Sequence, residues 1–114
     1  MRDKDIELIQ EFEKLGYKCE WYGMGKEYDW DHHRECPCAT YTKDNERINF
    51  SILIYEWSKE YLQEQLDFGV RVLDCYRFVN NKIVGIKKED GKLFDLYKRQ
   101  ISRLLEMQQN YKEI

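Results

Sequence analysis

The side chains best suited to chemistry concentrate in residues 26–38. This segment holds both histidines of the chain, two of its four cysteines, a tryptophan and several carboxylates. Imidazole nitrogen and thiolate sulfur are ligands that Zn²⁺ prefers, so His33, Cys36 and Cys38 can provide three of the four ligands of a structural site. The fourth would come from Asp31, His32, Cys19 or Cys75.

The spacing of these ligands argues against a zinc site. Structural zinc sites normally use two pairs of ligands, each pair about two to four residues apart, whereas Cys36 and Cys38 are separated by one residue and no second pair follows. The simpler interpretation is that Cys19 and Cys38 are small buried apolar side chains on neighbouring strands. We therefore expect no bound cofactor and keep zinc as the alternative.

Catalytic interpretations of the same segment are weaker. A thiolate beside one of the histidines would be a nucleophile with its base, but no motif of a cysteine enzyme surrounds it. Asp29, Asp31 and Glu35 would hold a hard metal ion for phosphodiester cleavage, yet no second carboxylate cluster follows on a defined strand. A small metal-dependent hydrolase is thus the third hypothesis, and the sequence favours a non-enzymatic role.

Recognition of another protein fits the segment best. Tyr28 and Trp30 alternate with Asp29 and Asp31, and protein-binding hot spots favour large aromatic side chains ringed by polar groups. The competing interpretation is that Trp30 folds back over one end of a sheet. The first interpretation predicts an exposed binding loop over residues 26–37.

Charge is distributed unevenly along the chain. Residues 1–60 carry a net charge of −5 and residues 61–114 a net charge of +2. Glu7 and Glu11 lie in a predicted acidic first helix, which could occupy a basic channel of a partner through electrostatic complementarity. These features predict an inhibitor or adaptor that docks on a larger, basic, nucleic-acid-handling protein. The bias toward Lys, Glu, Ile, Tyr and Asn, which is shared by small accessory proteins of phages, extends the hypothesis to an anti-defence protein.

A basic cluster near the C-terminus offers a second type of partner. Lys98, Arg99 and Arg103 lie on one predicted helix, and such side chains follow phosphate backbones in nucleic-acid complexes. The net charge of −3 opposes this interpretation because nucleic-acid binders normally have a basic excess. Nucleic acid is therefore a less favoured partner than protein.

The composition is that of a folded chain rather than a disordered or membrane-embedded one. The length of 114 residues predicts a single domain over residues 1–114. No apolar run reaches the roughly 20 residues of a membrane helix, and the N-terminus lacks the apolar part of a signal peptide. We expect a cytoplasmic protein without membrane contact, whose four cysteines are thiols. The oligomeric state is not predicted.

Periodicity predicts an α+β fold. Ile6, Ile9, Phe12 and Leu15 indicate a first helix that ends at Gly16, and Tyr17, Cys19 and Trp21 alternate as one buried face of a strand. Aspartates at the helix start, Asp3 and Asp5, are expected to cap it. A hairpin follows over residues 38–56, turning at residues 44–46, with Ile48, Phe50, Ile52 and Ile54 facing the core.

The second half of the chain predicts three further elements. Ser58 to Gly69 reads as a short middle helix. Residues 70–86 are read as a second hairpin that turns at Asn80-Asn81, with a continuation of the helix through Val70 and Leu73 as the alternative. After Asp90-Gly91 a long closing helix carries an apolar stripe, which consists of Leu93, Tyr97, Ile101, Leu104 and Leu105. The expected architecture is a small antiparallel sheet of about five strands, two hairpins plus one strand, packed by these three helices.

Overall fold

The computed structural model of the chain describes residues 2–29, 32–51 and 75–112, and the side chains of residues 2–23, 37–51 and 75–107 within them. Two helices are described, α1 (Asp3–Lys14) and α2 (Lys92–Lys112), together with a short 3₁₀ turn, Lys88–Asp90. Five strands are described, which are β1 (Lys18–Asp29), β2 (His32–Lys43), β3 (Glu46–Ser51), β4 (Tyr76–Val79) and β5 (Lys82–Val84). The predicted middle helix over residues 58–69 lies outside the described residues.

The strands form one antiparallel sheet in the order β1-β2-β3-β4-β5, which confirms the α+β class and the small five-stranded sheet. β1 also pairs with β2 along its whole length, so it is part of the meander rather than a separate strand.

Two tight turns fix the register of the sheet at one end. The turn between β2 and β3 contains Asp44 at φ 50°, and the turn between β4 and β5 places Asn80 and Asn81 at φ 52° and 65°. In the turn between β4 and β5, both central residues have positive φ, which matches the twist of a two-residue hairpin. Asparagine tolerates positive φ better than most residues. The predicted turn at Asn80-Asn81 is thereby confirmed. The Asn80 backbone N–H donates to the Asn45 carbonyl oxygen at 3.0 Å, which ties the two turns together.

A β-bulge in β1 reverses part of the predicted alternation. Cys19 lies opposite Tyr41, but Trp21 lies opposite Thr40, so one extra residue is accommodated between Cys19 and Trp21. Because side chains alternate between the faces of a strand, one extra residue moves every later side chain to the other face. The prediction that Trp21 is buried is therefore wrong: its side chain is 54% exposed on the face away from the helices.

The predicted loop over residues 26–37 is also wrong, because β1 continues to Asp29 and β2 begins at His32. Backbone pairing across the hairpin satisfies N–H and C=O groups whatever side chains they carry. A segment without apolar alternation can therefore extend a hairpin that its neighbours have already aligned.

The core lies between the sheet and the two helices. Phe12 stacks on Tyr41 with ring centroids 3.9 Å apart, and Phe50 meets both rings edge-on. Ile48 and Phe50 are buried as predicted, and so is the stripe of α2 except Leu105, which is half-buried. In the first half of α1 the buried apolar side chain is Leu8, whereas Ile6, which was predicted to face the core, is 42% exposed.

Candidate functional site

The helix side of the sheet contains a buried ion pair that joins the two ends of the chain. Arg103 in α2 holds Asp5 in α1 through two hydrogen bonds, Nε to Oδ1 at 2.8 Å and an Nη to Oδ2 at 3.1 Å. The two side chains are 7% and 5% exposed. The predicted helix-capping role of Asp5 is wrong, because α1 begins after Arg2 without a side-chain cap.

A hydrogen-bonded chain extends from this pair into the sheet. The Tyr22 hydroxyl donates to Asp5, and the Gln100 amide donates to the Tyr22 oxygen at 3.0 Å. The Tyr41 hydroxyl then donates to the Gln100 carbonyl oxygen at 2.7 Å. Burial first, and then neighbouring negative charge, raises the pKa of Tyr22 and of Tyr41 well above the ordinary range. Both tyrosines are therefore neutral donors that hold α1, α2 and the sheet together.

A second set of ion pairs joins α1 to α2 at the protein surface. Glu11 accepts a hydrogen bond from Arg99 and lies 3.5 Å from Lys92 Nζ. The hydrogen bond from Arg99, followed by the charges of Arg99 and Lys92, lowers the pKa of Glu11. Two carboxylates of α1, Asp5 and Glu11, are thus neutralised by basic side chains of α2.

The charged residues that were predicted to bind a partner or nucleic acid differ in whether another residue of the chain neutralises them. Glu7 lines a groove of about 420 Å³ between the helices, together with Lys98, Arg99 and Arg103. Lys98 Nζ lies 5.0 Å from the centre of the Phe94 ring. Arg99 and Arg103 face carboxylates of the chain itself, so of the three predicted nucleic-acid-binding residues only Lys98 has no ion pair within the described residues. The nucleic-acid prediction remains untested.

Arg77 forms a third internal cluster on the same side. It donates to Glu46 at 3.0 Å and lies 3.8 Å from Asp90, while the Tyr17 hydroxyl donates to the other Glu46 oxygen at 2.5 Å. Burial raises the pKa of Glu46, but the hydrogen bonds from Tyr17 and Arg77 outweigh it, so the net shift is downward. Glu46 is thus held as a carboxylate that links β3 to β4 and to Tyr17, the residue before β1.

The segment that suggested chemistry forms the far part of the β1–β2 hairpin. The backbone pairs Tyr28 with His33 and Asp29 with His32. The side chains of Tyr28, Asp29, His33 and Cys36 are not among those described, and Trp30 and Asp31 lie outside the described residues. Their predicted roles in partner and metal binding stay predictions.

The cysteines of the described residues lie on different faces of the sheet. Cys19 is opposite the buried Tyr41 on the helix side, whereas Cys38 alternates with the buried Ala39 and points to the other side, opposite Ser51. Cys75 is buried. The interpretation of Cys19 and Cys38 as buried neighbours is therefore only partly right, since both are half-buried and the sheet separates them. Among the described residues, no three His, Cys, Asp or Glu side chains form a group that could hold a metal ion.

The face of the sheet away from the helices carries one exposed ring, two half-buried rings and an arginine. We call it the outer face and define it by the residues that alternation places there: Trp21, Thr40, Thr42, Arg47, Asn49, Tyr76, Phe78 and Ile83. Tyr76 and Phe78 pack edge to face with centroids 5.0 Å apart, and Ile83, opposite Phe78, is 51% exposed. Sequence reasoning missed this surface because the bulge that turns Trp21 outward has no signal in the residue pattern.

Polar side chains occupy the centre of the outer face, between Trp21 at one edge and Phe78 near the other. Thr42 donates to Glu20 at 2.8 Å, and Thr40 donates to the Asn49 side-chain oxygen at 3.3 Å. Arg47 Nε donates to the same Asn49 oxygen at 3.0 Å. An apolar ring at each side and hydrogen-bonding groups between them are the chemistry of a macromolecular contact surface.

Comparisons of the chain with protein-family models, with curated proteins and with solved structures give no significant match. Neither described helix is long and apolar enough to span a membrane.

Proposed function

We propose that the protein is a non-catalytic module that binds another protein, as an inhibitor or adaptor, through the outer face of its sheet. The observation that carries the proposal is the position of Trp21, which is 54% exposed although the chain buries its other described rings wholly or in part. Leaving a tryptophan in water forgoes much of the stabilisation that its burial would provide. A binding role explains why the bulge directs it outward.

The surroundings of Trp21 support a protein contact. Tryptophan, tyrosine and arginine are the residues that most often dominate the free energy of protein–protein binding. The outer face presents all three types on paired strands, whose backbone positions are fixed by the sheet. A rigid surface loses little conformational entropy when a partner docks on it.

The far part of the β1–β2 hairpin extends the same contact. β1 runs on from Trp21 to Asp29, so two of the partner-binding residues predicted from the sequence, Tyr28 and Asp29, lie on the strand that carries Trp21. The hypothesis of a basic, nucleic-acid-handling partner antagonised by a phage protein rests on Asp29, Asp31 and Glu7. Glu11 is occupied by Arg99 and Lys92 and is not part of the proposed contact.

The proposal is tested by replacing Trp21 with a photoreactive analogue and identifying the proteins that crosslink in a lysate of the source cell. The dissociation constant of the purified partner is then measured for Trp21→Ala and Phe78→Ala. Loss of a hot-spot aromatic costs about 2 kcal/mol or more, so Trp21→Ala should weaken binding by roughly thirtyfold.

The matched control is Ile6→Ala, which removes an exposed apolar side chain from the helix side. It should leave the dissociation constant unchanged. A partner that binds Trp21→Ala and the wild type equally, or one that loses affinity only with Ile6→Ala, would contradict the assignment of the outer face.

A further inference from the structure

Arg47 of β3 differs from the arginines of β4 and α2 whose side chains the structure describes. Arg77, Arg99 and Arg103 each form an ion pair with a carboxylate of the chain. Arg47 is exposed, and within the described part of the chain it forms no ion pair; its hydrogen bond goes to the neutral side chain of Asn49. Among the described side chains, the positive charge of Arg47 on the outer face therefore has no neutralising carboxylate.

The position of the Arg47 guanidinium is nevertheless constrained. Its Nε donates to the Asn49 oxygen at 3.0 Å, and Thr40 donates to that oxygen from the neighbouring strand. Phe78 lies directly opposite Arg47 on β4. An arginine held through Nε keeps both terminal nitrogens available, and these form the planar fork that binds a carboxylate through two parallel hydrogen bonds.

We propose that Arg47 is a recognition site for a carboxylate side chain of the partner, with the rings of Trp21 and Phe78 binding apolar residues on either side of it. This inference rests on the proposed function and specifies its partner: a protein segment in which Asp or Glu is flanked by large apolar residues. Charge complementarity supports the choice, because Arg47 has no counterion among the described side chains of the outer face.

The groove beside Arg47 offers space for such a side chain. It has a volume of about 430 Å³, and its walls include Arg47, Phe78 and Thr42 on the strands and Asp44 and Asn81 at the turns. Glu46 also lines the groove, but its carboxylate is bound by Tyr17 and Arg77. Asp44 is the charge in the groove that opposes a carboxylate ligand, so its removal should favour binding.

A phosphate backbone fits the outer face less well. Nucleic-acid surfaces present several cations along the path of the strand. Among the side chains that the structure describes, the outer face offers the cations Arg47 and Lys18. Lys18 pairs with Thr42, is 78% exposed and lies 3.8 Å from Glu20. A protein carboxylate requires only the single fork that Arg47 provides.

The experiment selects peptides from a random display library on the wild-type protein and on three variants, Arg47→Gln, Trp21→Ala and Lys18→Gln. Wild-type selections should enrich peptides with one acidic position next to large apolar residues, and Arg47→Gln should abolish the acidic preference while the apolar one persists. For the best synthetic peptide, Arg47→Gln should weaken binding about tenfold, since a hydrogen bond to a charged group contributes roughly 1.5–3 kcal/mol. Lys18→Gln should have little effect, and Asp44→Asn should strengthen binding.

The possible results separate this inference from the proposed function. If enriched peptides require Trp21 but show no acidic preference, or keep it with Arg47→Gln, the outer face binds protein and the role of Arg47 is refuted. If no enriched peptide depends on Trp21, the proposed function fails as well. If oligo(dT) binds the wild type and loses affinity with Arg47→Gln, the ligand is a phosphate and the inference is overturned.

Discussion

On the helix side of the sheet the charged and aromatic side chains bind each other, whereas on the outer face the same residue types have few internal partners. Arg103 forms an ion pair with Asp5 and Phe12 stacks on Tyr41, but Arg47 has no ion pair among the described residues and Trp21 is 54% exposed. The difference predicts that substitutions on the helix side change stability more than substitutions on the outer face.

The comparison also shows that charge summed along the sequence differs from the charge that the folded surface presents. Acidic residues of α1 and basic residues of α2 are far apart in the sequence and adjacent in the fold, as Glu11 with Arg99 shows. Charges that pair internally contribute little to the field that a partner meets. Within the described part of the chain Arg47 has no ion pair, so the proposed partner is argued from this charge rather than from the sum over each half of the sequence.

The largest expected difference in the free energy of unfolding is between substitutions of two aromatic residues on opposite faces of the sheet. Phe12→Ala should lower the free energy of unfolding by about 4 kcal/mol, because it empties the centre of the core. Trp21→Ala should change it by less than about 0.5 kcal/mol, as is usual for surface substitutions. Urea denaturation followed by circular dichroism measures both. If Trp21→Ala destabilised the fold as much as Phe12→Ala, Trp21 would be a structural residue and the distinction between the two sides would fail.

The buried ion pair should give the next largest effect. Asp5→Asn leaves the Arg103 charge buried without its counterion, which should cost about 3 kcal/mol. Asp3→Asn, in the same first turn but exposed, should cost less than about 1 kcal/mol.

The double variant Asp5→Leu with Arg103→Met serves as the control for packing. Replacing both partners by apolar residues removes the unpaired charge, so the double variant should be less destabilised than the two single substitutions together. Equal stability of Asp5→Asn and Asp3→Asn would show that the pair does not stabilise α1 against α2.

The smallest effect concerns the pH dependence of stability. The folded-state pKa of Glu46 lies below its unfolded value of about 4.3, so its stabilising contribution is present above that pH and is lost as the pH falls through the folded-state pKa. Glu46→Gln should reduce stability at neutral pH on the order of 1 kcal/mol and flatten the loss of stability on acidification.

Tyr17→Phe is the matched variant for this measurement. It removes one of the two donors to Glu46 and should flatten the pH dependence in the same direction by a smaller amount. Acid titrations of the unfolding midpoint that are identical for the wild type and Glu46→Gln would exclude a role of this carboxylate in acid stability.

Local sequence patterns predicted the elements whose signals are short-range. The turn at Asn80-Asn81 needs positive φ at two adjacent residues, and the stripe of α2 repeats with the helical period, so both follow from neighbours in the sequence. The same reasoning identified Ile48 and Phe50 as core residues.

Predictions failed where distant residues decide the outcome. Asp5 could not be recognised as half of a buried ion pair, because its partner Arg103 is at the other end of the chain. The position of Trp21 depends on how β1 aligns with β2, where one extra residue changes the face of every later side chain. The sequence patterns therefore did not predict the outer face.

The amino-acid sequence by itself determined the α+β class, the turn chemistry and the amphipathic closing helix, because these depend on backbone preferences and on periodicities of a few residues. Only the tertiary structure decided which charges neutralise each other and which rings reach solvent. Those outcomes depend on strand register and helix packing, which bring together residues nearly a hundred positions apart.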